Sequence, residues 1–90
     1  MTIPSQLKAV QVSVGTNATP ILAVHAGRLQ ATVTNHGTTD VFIGDLNVTT
    51  STGSLLPGVK GAALDVMGAA AVYGIVATGS QTVSAIEFFG

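Results

Sequence analysis

The chain has 90 residues, a formal net charge of −1 and no cysteine, so it forms one small domain without disulfides or thiolate metal sites. Only 8% of its residues are charged, whereas an ordinary soluble domain carries about 25%, and its three basic side chains form no patch for nucleic acid. A domain of this size buries a limited core, and a surface without charges loses water at little cost. The composition therefore predicts that neighbouring chains cover part of the surface.

The first half of the chain is patterned as short strands separated by turns. Alternating apolar residues predict a strand over 7–14, with its valines on one face, and a second apolar segment follows at 21–25. Gly, Asn and Pro mark a turn within 15–20. After a tight reversal at Ala26-Gly27, residues 28–35 alternate strictly, which predicts a strand with one apolar face. The apolar face of that strand consists of Leu29, Ala31 and Val33.

The second half continues the same pattern, with glycine or proline at the predicted turns. These turns fall at 35–40, at Gly53 and at Pro57-Gly58. The further strand segments are 40–44, 60–66, 71–77 and 81–89. About eight short strands at this close spacing predict an all-β protein, a small antiparallel β-sandwich or jelly-roll-like domain over residues 7–90.

Residues 61–77 are apolar enough to suggest a membrane helix, but their composition favours strands. The segment is about 17 residues long, at the lower limit for a span, and it contains Asp65. Three glycines weaken a helix, while Tyr73 and the β-branched residues favour a strand. We therefore expect no association with a membrane.

Two C-terminal segments depart from simple alternation. Residues 71–77 are apolar on both faces, and Ile86 and Phe88 have the parity opposite to that of Val83 and Ala85. Because strands that are apolar on both faces are covered on both faces, we predict that another subunit covers this C-terminal hairpin. The alternative is a β-bulge near Ile86 that switches the inward face. Outside the N-terminal segment, the candidate subunit or capsid contact residues are Phe42, Val72, Tyr73, Ile75, Ile86, Phe88 and Phe89.

The titratable side chains match no catalytic or cofactor-binding motif. His25 follows an apolar segment and His36 lies in a glycine turn, so we interpret them as strand-end and turn residues. Asp40, Asp45 and Asn47 offer oxygen ligands for Ca²⁺ but lack the dense alternate spacing of a calcium loop, and we interpret Asp45 and Asn47 as capping a turn through their own backbone. We expect no enzyme activity, no cofactor and no metal.

Residues 33–58 carry a recurrent pattern in which a strand ending in Thr-Asn precedes a glycine turn, a Val-x-Ile-Gly strand, a Val-Thr pair and a Leu-Pro-Gly turn. The matching positions are Thr34, Asn35, Gly37, Val41, Ile43, Gly44, Val48, Thr49, Gly53, Leu56, Pro57 and Gly58. Together with the closing segment 71–88, this pattern resembles small virion proteins of tailed bacteriophages. The resemblance extends over residues 29–88 and implies a β-sandwich, commonly trimeric, attached to a capsid or tail, with no catalytic residues.

The resemblance leads us to expect a capsid decoration, or cement, protein. Such a protein would be made in the host cytoplasm and would bind the major capsid protein on the outer capsid surface as a homotrimer. Residues 1–6, with Ile3 and with Pro4 blocking a regular helix, are expected to form an extended attachment arm, and the C-terminal hairpin the trimer contact. The alternatives are a phage tail or fibre subunit and a carbohydrate-binding, adhesin-like module.

Overall fold

A computed structural model of the chain describes residues 6–90, in which eight strands form two sheets. The strands are β1 (Gln6–Val14), β2 (Thr19–Leu22), β3 (Arg28–Asn35), β4 (Val41–Gly44), β5 (Ser54–Leu56), β6 (Ala63–Met67), β7 (Val72–Ile75) and β8 (Gln81–Phe89). The all-β class and the number of strands confirm the sequence prediction, and β3 and β8 have the predicted bounds. The three-residue strand β5 was hidden between two predicted reversals.

The strand order identifies the architecture as a jelly roll. The two antiparallel sheets have the orders β1-β8-β3-β6 and β2-β7-β4-β5. Strand pairs join the first to the eighth, the second to the seventh, the third to the sixth and the fourth to the fifth. The chain therefore doubles back at the β4–β5 connection, and the doubled chain rolls up into two layers, which is the jelly-roll form of a β-sandwich.

The core lies between the two layers and is built from the inward-facing residues, which alternate along each strand with outward-facing ones. Its buried members are Val14, Ile21, Leu22, Ala31, Val33, Val41, Ile43, Leu56, Val72, Val76, Val83 and Ala85. All twelve residues are valine, isoleucine, leucine or alanine, whose burial stabilises the fold in proportion to the apolar area removed from water. The alternation that the sequence shows in 28–35 is the alternation between this core and the outer faces, and β8 alternates in the same way, with Val83 and Ala85 in the core.

The prediction of a C-terminal hairpin is wrong, because β7 and β8 belong to different sheets. Strand β7 pairs with β2 and β4, whereas β8 pairs with β1 and β3. The connection between them crosses from one layer to the other. At its start, directly after β7, the amide of Val76 donates to the carbonyl of Gly15 at 3.0 Å. A short glycine-containing connection is compatible with both a hairpin and a crossing between sheets, so the sequence did not distinguish them.

Strand β8 keeps its alternation to its end, and no bulge lies near Ile86. Its pairing with β1 is continuous over nine residues. The irregularity lies on the neighbouring strand, where the register with β8 shifts between Arg28 and Gln30. This shift leaves Leu29 only half-buried, which corrects its assignment to the inner face, and Arg28 is buried instead.

Asn35, at the end of β3, is a fully buried amide that holds two connections against the strand. Its Nδ2 donates to the carbonyl oxygens of Thr39 at 2.9 Å and Pro57 at 3.0 Å, and its Oδ1 accepts from the amide of Gly37 at 2.9 Å. Its own backbone N–H and carbonyl both bond to the β5–β6 connection at 2.8 Å. Every polar group of the residue is therefore paired, as burial requires.

Val48 explains two glycines in the recurrent pattern. Its side chain is buried between the ends of β4 and β5, where a Cβ on Gly44 would lie 2.7 Å from Val48 Cγ2 and a Cβ on Gly53 would lie 2.9 Å from it. No real Cβ is found so close to a neighbouring atom, so any larger residue at either position would displace Val48. The pattern in residues 33–58 is thus one of packing and turn geometry.

Residues 61–77 form β6, a turn at Gly68 with a φ of +89°, and β7. Within residues 6–90, no helix is long and apolar enough to cross a membrane.

We expect Asn35→Ala to lower the free energy of unfolding by about 3 kcal/mol, because it removes the three hydrogen bonds of a fully buried side chain. Asn47→Ala is the matched control, since Asn47 is exposed and only its backbone N–H is bonded, to Asp45. The control should change stability by less than about 0.5 kcal/mol. Denaturant unfolding at equal protein concentration measures both, and similar losses in the two variants would contradict the assignment.

Candidate interaction surfaces

The outer face of the sheet β2-β7-β4-β5 is a continuous apolar surface, which we call the apolar face. It consists of Pro20, Phe42, Leu55, Tyr73 and Ile75. The register places Tyr73 opposite Pro20, and Phe42 between Ile75 and Leu55. Pro20 and Leu55 are exposed and the other three side chains are half-buried, so the surface is accessible on the single chain.

The sheet that carries the apolar face contains no charged residue. The charged side chains lie in the strands of the other sheet, as Lys8, Arg28, Asp65 and Glu87, or in connections, as Asp40, Asp45 and Lys60. Covering the apolar face would therefore desolvate no ion on its own strands, and full burial of each large apolar side chain contributes about 1.5–3 kcal/mol.

The outer face of the sheet β1-β8-β3-β6 has an apolar end and a hydroxyl-rich end. At the apolar end Leu7 pairs with Phe88 and Ala9 pairs with Ile86, and we call these four residues the β1–β8 patch. Leu7 is 65% exposed. At the opposite end of the same two strands, the outward residues are only Gln, Ser and Thr. The two apolar surfaces thus lie on opposite outer sides of the sandwich.

The structure divides the predicted contact residues between these two surfaces. Phe42, Tyr73 and Ile75 lie together on the apolar face, while Ile86 and Phe88 lie on the β1–β8 patch. The predicted subunit or capsid contact residues are therefore divided between two surfaces that face in opposite directions. Pro20 and Leu55 were missed because their neighbours on the apolar face come from strands that are distant in sequence.

Four predicted positions lie elsewhere. Val72 is 4% exposed and belongs to the core, so its side chain is not available to another subunit and the prediction of a contact there is corrected. Phe89 lies at the open end of the sandwich, with its ring centroid 4.5 Å from that of His25 and the ring planes at 53°. Ile3 and Pro4 lie outside the described residues, as does most of the predicted arm, and Gln6 already pairs with Phe89 in β1.

Arg28 forms a buried ion pair with Glu87 that sequence reasoning missed. The two residues are 3% and 7% exposed, and Arg28 Nη1 lies 3.0 Å from Glu87 Oε1. The same guanidinium also donates to three backbone carbonyls: Nη1 to that of Ala23 at 2.9 Å, Nε to that of Gly68 at 3.0 Å and Nη2 to that of Ala70. The guanidinium therefore joins β3, β8, the segment after β2 and the β6–β7 connection.

A sequence signal for this pair exists in the parity of β8. Glu87 shares the parity of Val83 and Ala85, which places its carboxylate on the inner side of the strand. An inward carboxylate requires a cationic partner, and Arg28, at the start of β3, is one of only three cations in the chain. What the sequence lacks is the register that brings the two residues together.

Three other titratable residues lie in turns between strands. Asp45 Oδ1 accepts from the amide of Asn47 at 3.0 Å, which confirms the predicted turn capping, and Asp40 Oδ1 accepts from the amide of Gly58 at 2.7 Å. His36 is exposed in the turn after β3. Across residues 6–90, no three His, Asp or Glu side chains are grouped so that they could hold a metal ion.

Comparison with known proteins supports the fold. No protein-family model matches the chain, and no curated protein matches it in sequence. The chain is similar to the stem and receptor binding domain of spike protein P1 from bacteriophage PM2, with a TM-score of 0.61 and 21% identity over 88% of this chain and 32% of that one. It is also similar to a chain of Bacillus endospore appendages, described as disulfide-linked pili, with a TM-score of 0.59 and 16% identity over 93% and 85% of the two chains.

An enzyme has the same fold. Hydroxypropylphosphonic acid epoxidase from S. wedmorenis is similar with a TM-score of 0.57 and 24% identity, over 91% of this chain and 43% of that one. The chain spans about a third of the phage spike chain and less than half of the epoxidase. At these identities the likeness establishes a jelly-roll fold that structural proteins and an enzyme share, and function must be argued from the surfaces.

We expect Glu87→Leu to lower the free energy of unfolding by about 3–5 kcal/mol, because it leaves the Arg28 guanidinium buried without a counter-charge. The double variant Arg28→Met with Glu87→Leu should regain at least about 1 kcal/mol, since the buried charge is then also removed. Lys60→Met, in an exposed connection, is the control and should be neutral within about 0.5 kcal/mol. Denaturant unfolding checks the series, and a double variant no more stable than Glu87→Leu would contradict this explanation.

Proposed function

We propose that the chain is a structural subunit that associates with copies of itself through the apolar face, in a virion or a surface appendage. The apolar face carries this proposal: five apolar side chains lie contiguous on a sheet that contains no charged residue. Contiguous apolar surfaces of this kind mark protein interaction sites. The low charge also limits repulsion between closely spaced copies.

Within that role we propose a capsid decoration protein that forms a closed homotrimer and binds the major capsid protein on the outer capsid surface. The resemblance of residues 29–88 to virion proteins of tailed phages supports this proposal. The fold likeness to a phage spike domain and to an appendage protein is compatible with it. In a trimer of this kind, three apolar faces would meet around the symmetry axis and each would contact both neighbours.

A tail, fibre or appendage subunit is the second candidate, and the β1–β8 patch favours it. The apolar face and the β1–β8 patch lie on opposite outer sides of the sandwich, so the face of one copy can meet the patch of the next. A contact between two different surfaces closes into a ring only if the rotation allows it, and otherwise produces an open filament. The assembly state therefore distinguishes the two candidates.

A non-enzymatic role is part of the proposal. The buried charged groups Arg28 and Glu87 form an ion pair, and Arg28 also donates to backbone carbonyls, so this pair serves the fold. Asp40 and Asp45 are similarly bonded to the amides of their turns.

We expect Ile75→Asp to convert a closed trimer of about 27 kDa into a monomer of 9.0 kDa, because the new carboxylate would lose its water on the apolar face without gaining a partner. Thr82→Asp is the matched control, since Thr82 lies at the hydroxyl-rich end of the other sheet and should leave the trimer intact. Size-exclusion chromatography with light scattering over about a hundredfold range of concentration measures the masses.

The outcomes of that experiment separate the proposals. A mass that rises continuously with concentration and falls to the monomer in Ile75→Asp would favour the open assembly over the trimer. A wild-type chain that stays monomeric, or an Ile75→Asp variant with unchanged mass, would overturn association through the apolar face. Circular dichroism of each variant verifies that the β fold is retained.

We expect deletion of residues 1–5 to abolish binding to empty heads of the virus that carries the protein, while the trimer mass is unchanged. The deletion stops before Gln6 because Gln6 pairs with Phe89 in β1. The control exchanges the two hydroxyl residues of the arm, Thr2→Ser with Ser5→Thr, and keeps Ile3 and Pro4. Co-sedimentation with heads measures binding, and full binding by the deletion variant would refute the attachment arm.

A further inference from the structure

A cleft of about 500 Å³ opens between the two sheets where β1 begins and β8 ends. Its floor is a block of four neighbouring side chains on the inner face of one sheet, in which Gln6 pairs with Phe89 and Lys8 pairs with Glu87. Side chains directly opposite each other in an antiparallel pair have Cβ atoms about 4.5–5.5 Å apart. The opposite wall comes from the end of β2 and the segment that contains His25.

Glu87 places a hydrogen-bond acceptor in the cleft. Its Oε1 accepts from Arg28, but its Oε2 has no protein donor among the described residues. No side-chain nitrogen or oxygen atom in residues 6–90 is both fully buried and unbonded, so Oε2 must reach the solvent of the cleft that Glu87 lines. The ion pair with Arg28 holds this carboxylate in place and balances its charge.

Two hydrogen-bond donors lie beside that acceptor. Lys8 is exposed, lines the cleft, and forms no ion pair or side-chain hydrogen bond with another residue in the described range. His25 Nδ1 accepts from the amide of Gly27 at 3.1 Å, so in the neutral imidazole the proton resides on Nε2, which is then a donor. The ring of Phe89 and the apolar side chain of Leu22 complete the lining.

We propose that this cleft binds one pyranose unit of a neutral saccharide. A sugar hydroxyl both donates and accepts, so it can donate to Glu87 Oε2 while it accepts from Lys8 or His25. The apolar C–H face of the ring can lie on Phe89. The volume is in the range of small-molecule sites, which combine apolar walls with a few placed polar groups. An anionic ligand such as a carboxylate fits less well, because it has no hydrogen-bond donor for Glu87 Oε2.

This inference goes beyond the proposed structural role. None of the five residues of the apolar face lines the cleft, so a trimer that associates through that face alone does not bury the cleft residues, whereas Leu7 of the β1–β8 patch does line it. An assembly would then present several identical sugar sites, and avidity would raise a weak single-site affinity. The chemistry is that of attachment to glycans on a surface.

The test is a titration of the ¹⁵N-labelled chain, followed by its amide NMR shifts. The probes are methyl α-D-glucopyranoside, methyl α-D-mannopyranoside and methyl β-D-galactopyranoside, each to about 50 mM, with sodium butyrate as an anionic apolar probe. We expect at least one glycoside to shift the amides of Lys8, His25, Glu87 and Phe89 with a Kd on the order of 1 mM, and butyrate to leave them unchanged.

Variants assign the binding to the cleft. Lys8→Met and Phe89→Leu should each weaken the glycoside about tenfold, because one removes a donor and the other the ring face, whereas Lys60→Met should leave the Kd unchanged. The proposal is overturned if no glycoside shifts the cleft amides, if butyrate shifts them and the glycosides do not, or if Lys8→Met binds as the Lys60→Met control does. Light scattering measures association between copies independently of sugar binding. If no sugar binds, the conclusion about association through the apolar face is therefore unaffected.

Discussion

The buried ion pair between Arg28 and Glu87 is the interaction on which the rest of the structure depends. One guanidinium pairs with β8 and hydrogen-bonds the segment after β2 and the β6–β7 connection, so it closes one end of both layers around the start of β3. At the far end of β3, the side chain of Asn35 forms hydrogen bonds with the β3–β4 and β5–β6 connections. A small all-β domain without disulfides is thus secured at both ends by buried polar side chains, and removal of Glu87 would leave the Arg28 guanidinium buried without a counter-charge.

This arrangement also explains how charge is distributed. The ion pair is placed inside, the two aspartates at the β4 and β5 connections are bonded to turn amides, and every charged strand residue is in the sheet β1-β8-β3-β6. The other sheet is left without an ion, and its outward residues are apolar. The molecule is therefore two-sided: one sheet carries the groups that close the fold and line the cleft, and the other carries the surface best suited to be covered.

The fold by itself does not decide between a virion component, an appendage and an enzyme, since the jelly roll occurs in all three kinds of similar protein. A structural role is favoured because the polar residues of the recurrent pattern bond or pack within the fold. The glycines and Asn35 of the recurrent pattern in residues 33–58 pack Val48 and bond connections, and none of them is left with an unused reactive group. Glu87 and Lys8, by contrast, line the cleft at the open end of the sandwich.

The sequence alone determined most of the strands, because alternation and turn residues act within a few neighbours: β3 and β8 begin and end where the pattern predicts, and Asp45 caps its turn as expected, whereas the three-residue strand β5 was not predicted. Only the tertiary structure decided which strands share a sheet. The connection after β7 has the composition of a hairpin turn, yet it crosses between layers, so the supposed single contact surface became two surfaces on opposite sides. The partner of Arg28 lies 59 residues away and is set by the register of β3 on β8. Pairing between strands that are distant in sequence depends on how the doubled chain folds into two layers. Local sequence preferences act over a few residues and therefore do not specify it.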